Sequence, residues 1–287
     1  MTVINTKVLI SQYVSQVLTG YCEGEILLTT SKGTYLQLNG QVLMLTSTAY
    51  GLLPIGISIP SFSQILPLLQ LEPGQSVRYF DGQLEFPNGI LKLDAQIQAS
   101  PSFTVVLQPE RIRSCAQMLW NQRKSKGISD LVGPLVLQNG DPATMHVFSQ
   151  KAHVLLAELI QGLYNETDVS EPVRKLLGLG VGLTPSGDDV LLGMLYCLLR
   201  AAPHWQGTQL LRSAILEQAP LATNAISAAY LITVANGASY SRLDDQLLSL
   251  SGSGDIHIQP ILEIGSSSGS EMLLGLLLAA NTITHRR

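Results

Sequence analysis

Residues 178–193 read Gly-Leu-Gly-Val-Gly-Leu-Thr-Pro-Ser-Gly-Asp-Asp-Val-Leu-Leu-Gly, and residues 264–275 read Ile-Gly-Ser-Ser-Ser-Gly-Ser-Glu-Met-Leu-Leu-Gly. Both stretches pass from a glycine-bearing loop through serine, glycine and an acid into an apolar run that ends in glycine. Equivalent serines, Ser186 and Ser268, lie 82 positions apart. This order predicts two helices with similar N-termini, a pattern that core packing alone does not require.

Helical periodicity extends outward from these two stretches over everything after Pro109, which suits the first turn of a helix. The predicted helices are 110–126, 153–164, 172–177, 188–200, 209–218, 224–235, 243–250 and 270–283. A loop is predicted at Ser251-Gly252-Ser253-Gly254. The sequence therefore predicts an all-α domain over residues 109–287.

The residues before this domain have the pattern of short strands. Runs such as 25–30, 34–38 and 41–46 are separated by turn residues, among them Asn39-Gly40, Asp81-Gly82 and Asn88-Gly89. Asn-Gly and Asp-Gly between apolar runs are strong hairpin signals. We predict a small antiparallel β barrel or sandwich over residues 1–108, with a last strand at Thr104–Leu107. The fold class is α+β.

The composition limits the classes of partner and the cellular compartment that we expect for this chain. Charged residues are 13% of the chain and the net charge is −4, which gives no reason to expect nucleic acid or an anionic membrane as a partner. No apolar run reaches the roughly 18 residues of a spanning helix. Residues 1–20 lack the pattern of a signal peptide. Cys22, Cys115 and Cys197 show no metal-ligand spacing and are expected to be buried thiols in a reducing cytoplasm.

The repeated motif has two interpretations. In the first, Ser186 with Asp189 and Ser268 with Glu271 are capping boxes, and Gly193 and Gly275 let another helix approach closely. In the second, the paired helix N-termini bind an anion, because free amides and the helix dipole point at such a ligand. The length of the glycine loop and the additional hydroxyls favour the second interpretation.

An anion at this position conflicts with the three acids Asp188, Asp189 and Glu271. Three resolutions stay open: the carboxylates turn back to cap, a divalent cation such as magnesium bridges them to the ligand, or Arg174 and Lys175 supply positive charge. A third element, the helix face with Thr223, Ser227 and Tyr230, either joins the site or hydrogen-bonds to neighbours within the bundle. The bundle interpretation is slightly favoured for that face.

Residues 180–189 closely resemble the Gly-x-Gly-Leu-Thr-Pro-Ser-x-Asp-Asp signature of the AllH family. Residues 223–237 resemble its Thr-x-Ala-x-Ser-x-x-Tyr-Leu…Gly helix, and residues 262–275 resemble its Gly-His-Thr-Ser-Gly-x-Asp-x-Leu-x-Gly segment. A Gly-Pro-Leu of the family also fits residues 133–135. This chain departs from the family pattern at Ser266-Ser267-Ser268, where the family has a histidine, and at Glu271, where it has aspartate.

The resemblance implies one subunit of an oxamate carbamoyltransferase complex, alongside AllF-type and AllG-type subunits, that converts oxalurate and phosphate to oxamate and carbamoyl phosphate in allantoin breakdown. The alternative is a non-catalytic subunit that binds a small carboxylate or organises the complex. The candidate catalytic residues are Asp188, Asp189 and Glu271. The candidate substrate-binding residues are Gly180, Gly182, Thr184, Ser186, Gly187, Thr223, Ser227, Ser267, Ser268 and Gly269.

Overall fold

The computed structural model describes residues 2–98, 105–122, 127–252 and 254–286. Contacts divide the chain into two compact units. The first comprises Met1–Pro101 with Gly237–Ser241, and the second comprises Ser102–Asn236 with Arg242–Arg287. The domain boundary at residue 108 stays a prediction.

The first unit is a closed barrel, which confirms the barrel and the α+β class. Its strands are β1 Thr2–Ser11, β2 Cys22–Thr29, β3 Gly33–Leu38, β4 Gln41–Ser47, β5 Gly56–Ile59, β6 Ser76–Phe80, β7 Gln83–Phe86 and β8 Gly89–Gln98. They follow one another around the barrel in the order β1-β5-β4-β3-β2-β6-β7-β8, and β8 pairs with β1. Two short helices, α1 at Gln12–Val17 and α2 at Phe62–Leu69, accompany the strands.

The barrel is mixed, so the prediction of an antiparallel barrel was wrong in this respect. β1 and β8 run parallel over ten residue pairs, from Thr2 opposite Gly89 to Ser11 opposite Gln98. β4 and β5 are also parallel. No tight turn joins either pair, so hairpin geometry does not fix their direction. The sequence pattern reports hairpins well and carries no signal for these long-range pairings.

The predicted hairpin turns are confirmed where the backbone demands special residues. Asn39 and Gly40 join β3 to β4 with φ values of 48° and 79°, and Asp81 and Gly82 join β6 to β7 with φ values of 47° and 72°. Two successive positive φ angles are the mark of the turn that matches strand twist. The barrel interior is filled by buried aliphatic side chains, including Leu36, Leu43, Ile57, Leu84 and Leu91.

The described residues after the barrel contain helices and short helical turns but no strand, which agrees with the predicted helical part. The helices are α3 Pro109–Gln122, α4 Val147–Tyr164, α5 Ser170–Leu176, α6 Ser186–Ala201, α7 Gln206–Ala222, α8 Ala225–Ala235, α9 Ser241–Ser251, α10 Gln259–Leu262 and α11 Ser268–His285. None of the helices in the described ranges is long and apolar enough to cross a membrane.

Some boundaries differ from the prediction. Val105–Leu107 form no strand, and Thr104 lies outside the described residues. α3 is described to Gln122, so the predicted extension to residue 126 lies outside the described part. α9 continues through Ser251 into the predicted loop, of which Ser253 is not described.

The three cysteines are buried and free, as expected. Burial raises the pKa of the Cys115 thiol to about 12 and raises that of Cys197 still further. Thiols with such raised pKa values stay protonated near neutral pH and are poor nucleophiles.

Candidate functional site

α6 and α11 cross at two glycines, and this crossing places the repeated motif. A Cβ on Gly193 would lie 2.0 Å from the carbonyl oxygen of Met272, and a Cβ on Gly275 would lie 2.0 Å from that of Val190. Gly275 lies 82 positions after Gly193, and Met272 lies 82 positions after Val190, so the two contacts are equivalent in the two copies of the motif. The two helices therefore pack about a local twofold axis, with a backbone approach that only glycine allows. The prediction of a close helix approach at both glycines is confirmed.

The N-termini of these helices meet. The hydroxyl oxygens of Thr184, just before α6, and Ser268, the first residue of α11, are 2.9 Å apart. The two copies of the motif thus form one cluster. The sequence could not establish this, because nothing local specifies how two helices 82 residues apart are oriented.

Each acid of the cluster contacts the serine of the other copy. Asp189 of α6 is hydrogen-bonded to Ser268 of α11, and Glu271 of α11 is hydrogen-bonded to Ser186 of α6. Asp189 also accepts a hydrogen bond from Thr184 at 3.1 Å. These crossed bonds repeat the local twofold at the level of side chains, and they join the two helix starts.

The capping-box interpretation was wrong. Ser186 and Ser268 are the first helical residues, and the residues that precede them, Pro185 and Ser267, make no side-chain capping bond. The Asp189 carboxylate does not close a box with Ser186. A local Ser-x-x-acid pattern assumes that the serine and the acid are free to bond to each other's backbone, whereas here each acid is hydrogen-bonded to the serine of the neighbouring helix.

The two loops that lead into the helices share a framework and differ in length. Gly180 and Gly265 have φ values of 129° and 61°, and a Cβ on either would collide with Ser186 or Ser268. Six positions separate glycine from serine in the first copy and three in the second. The additional residues project outward, and Val181 is 93% exposed.

Gly187 and Gly269 allow close packing at the helix starts. A Cβ on Gly187 would lie 2.1 Å from the carbonyl oxygen of Leu176, and a Cβ on Gly269 would lie 1.8 Å from that of Ile261. The short helices α5 and α10 thus press their C-terminal ends against the motif. Both glycines are buried, so their role in the described structure is steric.

Asp188 is the centre of a second cluster of hydrogen bonds. Its carboxylate accepts from the backbone N–H of Gly178 at 2.7 Å, from the hydroxyl of Ser227 at 2.6 Å and from the hydroxyl of Thr223. Asp188 is 1% exposed. This carboxylate therefore ties the glycine loop and α6 to the start of α8, which agrees with the bundle interpretation of the Thr223 and Ser227 face.

A further segment, missed by sequence reasoning, completes the surroundings of Glu271. The N–H of Ile128 donates to this carboxylate at 3.1 Å, and the Ser267 hydroxyl donates at 3.1 Å. Gly127 has a φ of 98°, and a Cβ there would lie 2.2 Å from a Glu271 oxygen. The adjacent Ser129 hydroxyl is buried and has no hydrogen-bond partner among the described residues. A lone glycine was the only sequence signal, and it is too common to identify a site.

Burial dominates the electrostatics of all three acids. It raises the pKa of Asp188, Asp189 and Glu271, because a low-dielectric interior disfavours the charged form. For Asp189 the neighbouring Glu271 charge raises the pKa further, while hydrogen bonds from Ser268 and Thr184 lower it. Asp189 is shifted well above its usual range, so this pair favours a proton on one carboxyl.

The structure does not support the idea that Arg174, Lys175 or a metal ion offsets the charge of the three acids. Arg174 and Lys175 both pair with the exposed Glu171, at 2.9 and 3.2 Å. Among the described residues, no group of three or more His, Cys, Asp and Glu side chains is placed to hold a metal ion. The acids are held by hydroxyls and backbone amides.

The group to which each hydroxyl donates its proton determines whether the cluster presents hydrogen-bond donors or acceptors to a ligand. A hydroxyl carries one proton, so a serine that donates to an ionised carboxylate can only accept from a ligand. When the carboxyl is protonated it can donate instead, and the hydroxyl proton becomes free to turn toward an anion. The protonation state of Asp189 and Glu271 therefore sets the polarity of the hydroxyls around them.

The comparison with known families agrees with the motifs. The model of the AllH family, described as oxamate carbamoyltransferase subunit AllH, matches residues 176–280. The matched segment contains both copies of the motif and residues 223–237, whereas residues 133–135 fall outside it. No solved structure matches the chain. The resemblance to the AllH family is confirmed over this segment.

Proposed function

We propose that this chain is a subunit of a cytoplasmic oxamate carbamoyltransferase complex with AllF-type and AllG-type partners, and that it binds the small anionic substrate or phosphate over the paired starts of α6 and α11. The reaction of such a complex converts oxalurate and phosphate to oxamate and carbamoyl phosphate. The observation that carries the proposal is the 2.9 Å contact between Thr184 and Ser268, which brings two positive helix ends to one place.

Backbone amides of the longer loop are the first candidate donors. Among the described residues, no hydrogen bond takes the N–H groups of Gly180, Val181 and Gly182. The loop lies at the start of α6, where the helix dipole adds positive potential. Carbamoyl transfer passes through a tetrahedral centre that bears an oxyanion, and preorganised amides stabilise such a charge.

The buried acids take positioning roles in this proposal. Asp188 fixes Gly178 at the start of the loop, while Asp189 and Glu271 orient the hydroxyls of Thr184, Ser186 and Ser268. A proton on one carboxyl of the Asp189–Glu271 pair lowers the repulsion that an anion would otherwise meet. Anion binding should therefore be accompanied by proton uptake at a pH where the pair is partly ionised.

A second candidate function is the non-catalytic binding or assembly subunit. Val181 and Leu221 are 93% and 87% exposed, and Leu183 close to the motif is 39% exposed. Exposed aliphatic side chains beside a glycine loop suit contact with another subunit. In this version the loop closes a site whose reacting groups belong to a partner.

The test of the proposed site adds a negative charge to the exposed part of the glycine loop. It leaves the buried hydrogen bonds of Asp188, Asp189 and Glu271 in place. Val181→Asp places a carboxylate on a side chain that is 93% exposed, and Val147→Asp places the same charge on a 75% exposed control position. We expect Val181→Asp to weaken phosphate or oxamate binding by about five- to tenfold, since like charges repel at short range. The control should bind as the parent does.

Binding is measured by thermal stabilisation of the isolated chain with phosphate, carbamoyl phosphate, oxamate and oxalurate, each with and without magnesium. A ligand at 100 times its dissociation constant should add about 2.7 kcal/mol to the free energy of unfolding. Equal affinities for Val181→Asp and Val147→Asp would refute the loop site. Binding only after partner subunits are added would favour the assembly role.

A further inference from the structure

The last strand of the barrel continues beyond one of its two neighbours. β8 pairs with β1 over its whole length, but its pairing with β7 ends at Lys92. One more hydrogen bond on this side runs from the N–H of Leu93 to the carbonyl oxygen of Gly82. Beyond that bond, residues 94–98 have no strand on this side among the described residues.

The direction of the Leu93 bond shows which backbone groups lie on this free edge. The N–H and C=O of one residue point to the same side of a strand, and successive residues alternate between the two sides. Since Leu93 points toward the β6–β7 hairpin, Ala95 and Ile97 point the same way, past the end of that hairpin. The described residues supply no hydrogen-bond partner to them on this side. Their N–H and C=O groups therefore form an unpaired strand edge.

The side chains along this edge divide into an apolar and a polar face. Ala95 and Ile97 share the face of the core residue Leu91, yet both are exposed, Ile97 by 56%. The other face carries Asp94, Gln96 and Gln98, which are also exposed. Lysine, proline and bulges commonly protect a strand edge, and the stretch 94–98 has none of them. This edge is therefore suited to pair with another strand.

The edge is complementary to a second copy of itself. We consider two such edges in antiparallel pairing, with Ala95 of each copy opposite Ile97 of the other. All the free N–H and C=O groups of these residues are then satisfied. Gln96 lies opposite itself on the twofold axis, where the two amides can bond to each other. Asp94 lies opposite Gln98, so each carboxylate meets an amide donor and not the other carboxylate.

Neighbouring registers fit this edge less well. Placing Ala95 opposite itself brings Ile97 against Leu93, whose N–H is already bonded to Gly82. Placing Asp94 opposite itself brings two like charges together, which is unfavourable in a cross-strand pair. The hydrogen bonds and the charges thus select the same register.

We propose that two copies of this chain associate through the free edges of β8, in the register that places Gln96 opposite itself. A twofold pairing closes on itself, so the product is a dimer and not a filament. The contact involves few residues, so the association is weak and depends on protein concentration. The proposal does not depend on the anion site at α6 and α11.

Sedimentation velocity of the full chain, from micromolar to millimolar concentration, tests the dimer. Gln98→Lys would face Asp94 of the other copy twice per dimer, so we expect it to lower the dissociation constant about two- to tenfold. Gln98→Glu would face the same carboxylate and should raise the constant by a similar factor. Gln64→Lys and Gln64→Glu make the same charge changes at an exposed position on α2 and should show no such contrast.

Three results would overturn the dimer. They are a chain that stays monomeric up to millimolar concentration, equal effects of the substitutions at positions 98 and 64, and assemblies larger than a dimer.

Disulfide formation tests the register separately. In the proposed pairing, Gln96→Cys brings two Cα atoms to about 4.5 Å, within the range of a disulfide. Gln98→Cys is the matched control, because its two copies would lie about 14 Å apart along the strands. The native cysteines are buried and free. We expect Gln96→Cys to form the linked dimer at least tenfold faster, and equal rates would refute the register.

Discussion

Replacing Gly193 by alanine tests the close crossing of α6 and α11 directly. The new Cβ would lie 2.0 Å from the carbonyl oxygen of Met272, where ordinary contacts begin near 3.4 Å. The obstacle is backbone and cannot rotate away. The two helices must therefore move apart by roughly 1 Å along that direction, and they lose packing along both buried faces.

The expected magnitude is a difference of two opposing effects. Alanine favours the helix over glycine by about 1 kcal/mol, and this gain acts in the variant's favour. Overpacking costs about 1–3 kcal/mol and more when backbone must shift. Because both faces are buried, we expect a net loss of about 2 kcal/mol for Gly193→Ala and a similar loss for Gly275→Ala.

The double variant gives the sharper result. Once the helices have separated for one Cβ, the other fits at lower cost, so the combined loss should be smaller than the sum by about 1 kcal/mol. Urea unfolding of the parent, both single variants and the double variant closes the cycle. Gly254→Ala is the control, since its Cβ meets nothing within 4 Å. Additive losses, or single variants as stable as Gly254→Ala, would refute the coupled crossing.

Two further predictions concern the acids. Burial raises the pKa of Asp189, so the folded state holds more protons and stability falls as pH rises from about 4 through the folded pKa. Asp189→Asn should therefore gain stability relative to the parent as the pH is raised above about 4, and a pH-independent difference in denaturant midpoints would contradict this. Asp188→Ala leaves Gly178, Thr223 and Ser227 without their acceptor and should lower the free energy of unfolding by roughly 3 kcal/mol in the same assay. A loss below about 1 kcal/mol would contradict the idea that Asp188 ties the glycine loop and α6 to the start of α8.

The elements that sequence could predict are those with local causes. The Asn39-Gly40 and Asp81-Gly82 turns follow from the positive φ angles that their positions require. The long helices follow from apolar periodicity, with ends shifted by a few residues. β1 was missed because only its last residues are well buried and its partners are β5 and β8, far along the chain.

The sequence could predict which residues form the candidate site, but not which hydrogen bonds join them. Repetition of serine, glycine and acid identified the residues that the structure brings together at α6 and α11. The crossed bonds between Asp189 and Ser268 and between Glu271 and Ser186 depend on the tertiary crossing, which no local rule contains. Gly127 and Ile128 were missed for a related reason, since a backbone N–H leaves no trace in the sequence.

The pairing of β1 with β8 has a consequence for synthesis. Thr2–Ser11 are synthesised before the other strands of the barrel, yet their ten partners in β8 are residues 89–98. For several seconds at ordinary elongation rates, the edge of β1 that pairs with β8 has no partner. Closure of the barrel is thus a late, long-range event, and its loop-closure entropy should make it slower than formation of the β3–β4 and β6–β7 hairpins. A nascent chain that stops short of residue 98 would keep an open edge available to chaperones or to other nascent chains.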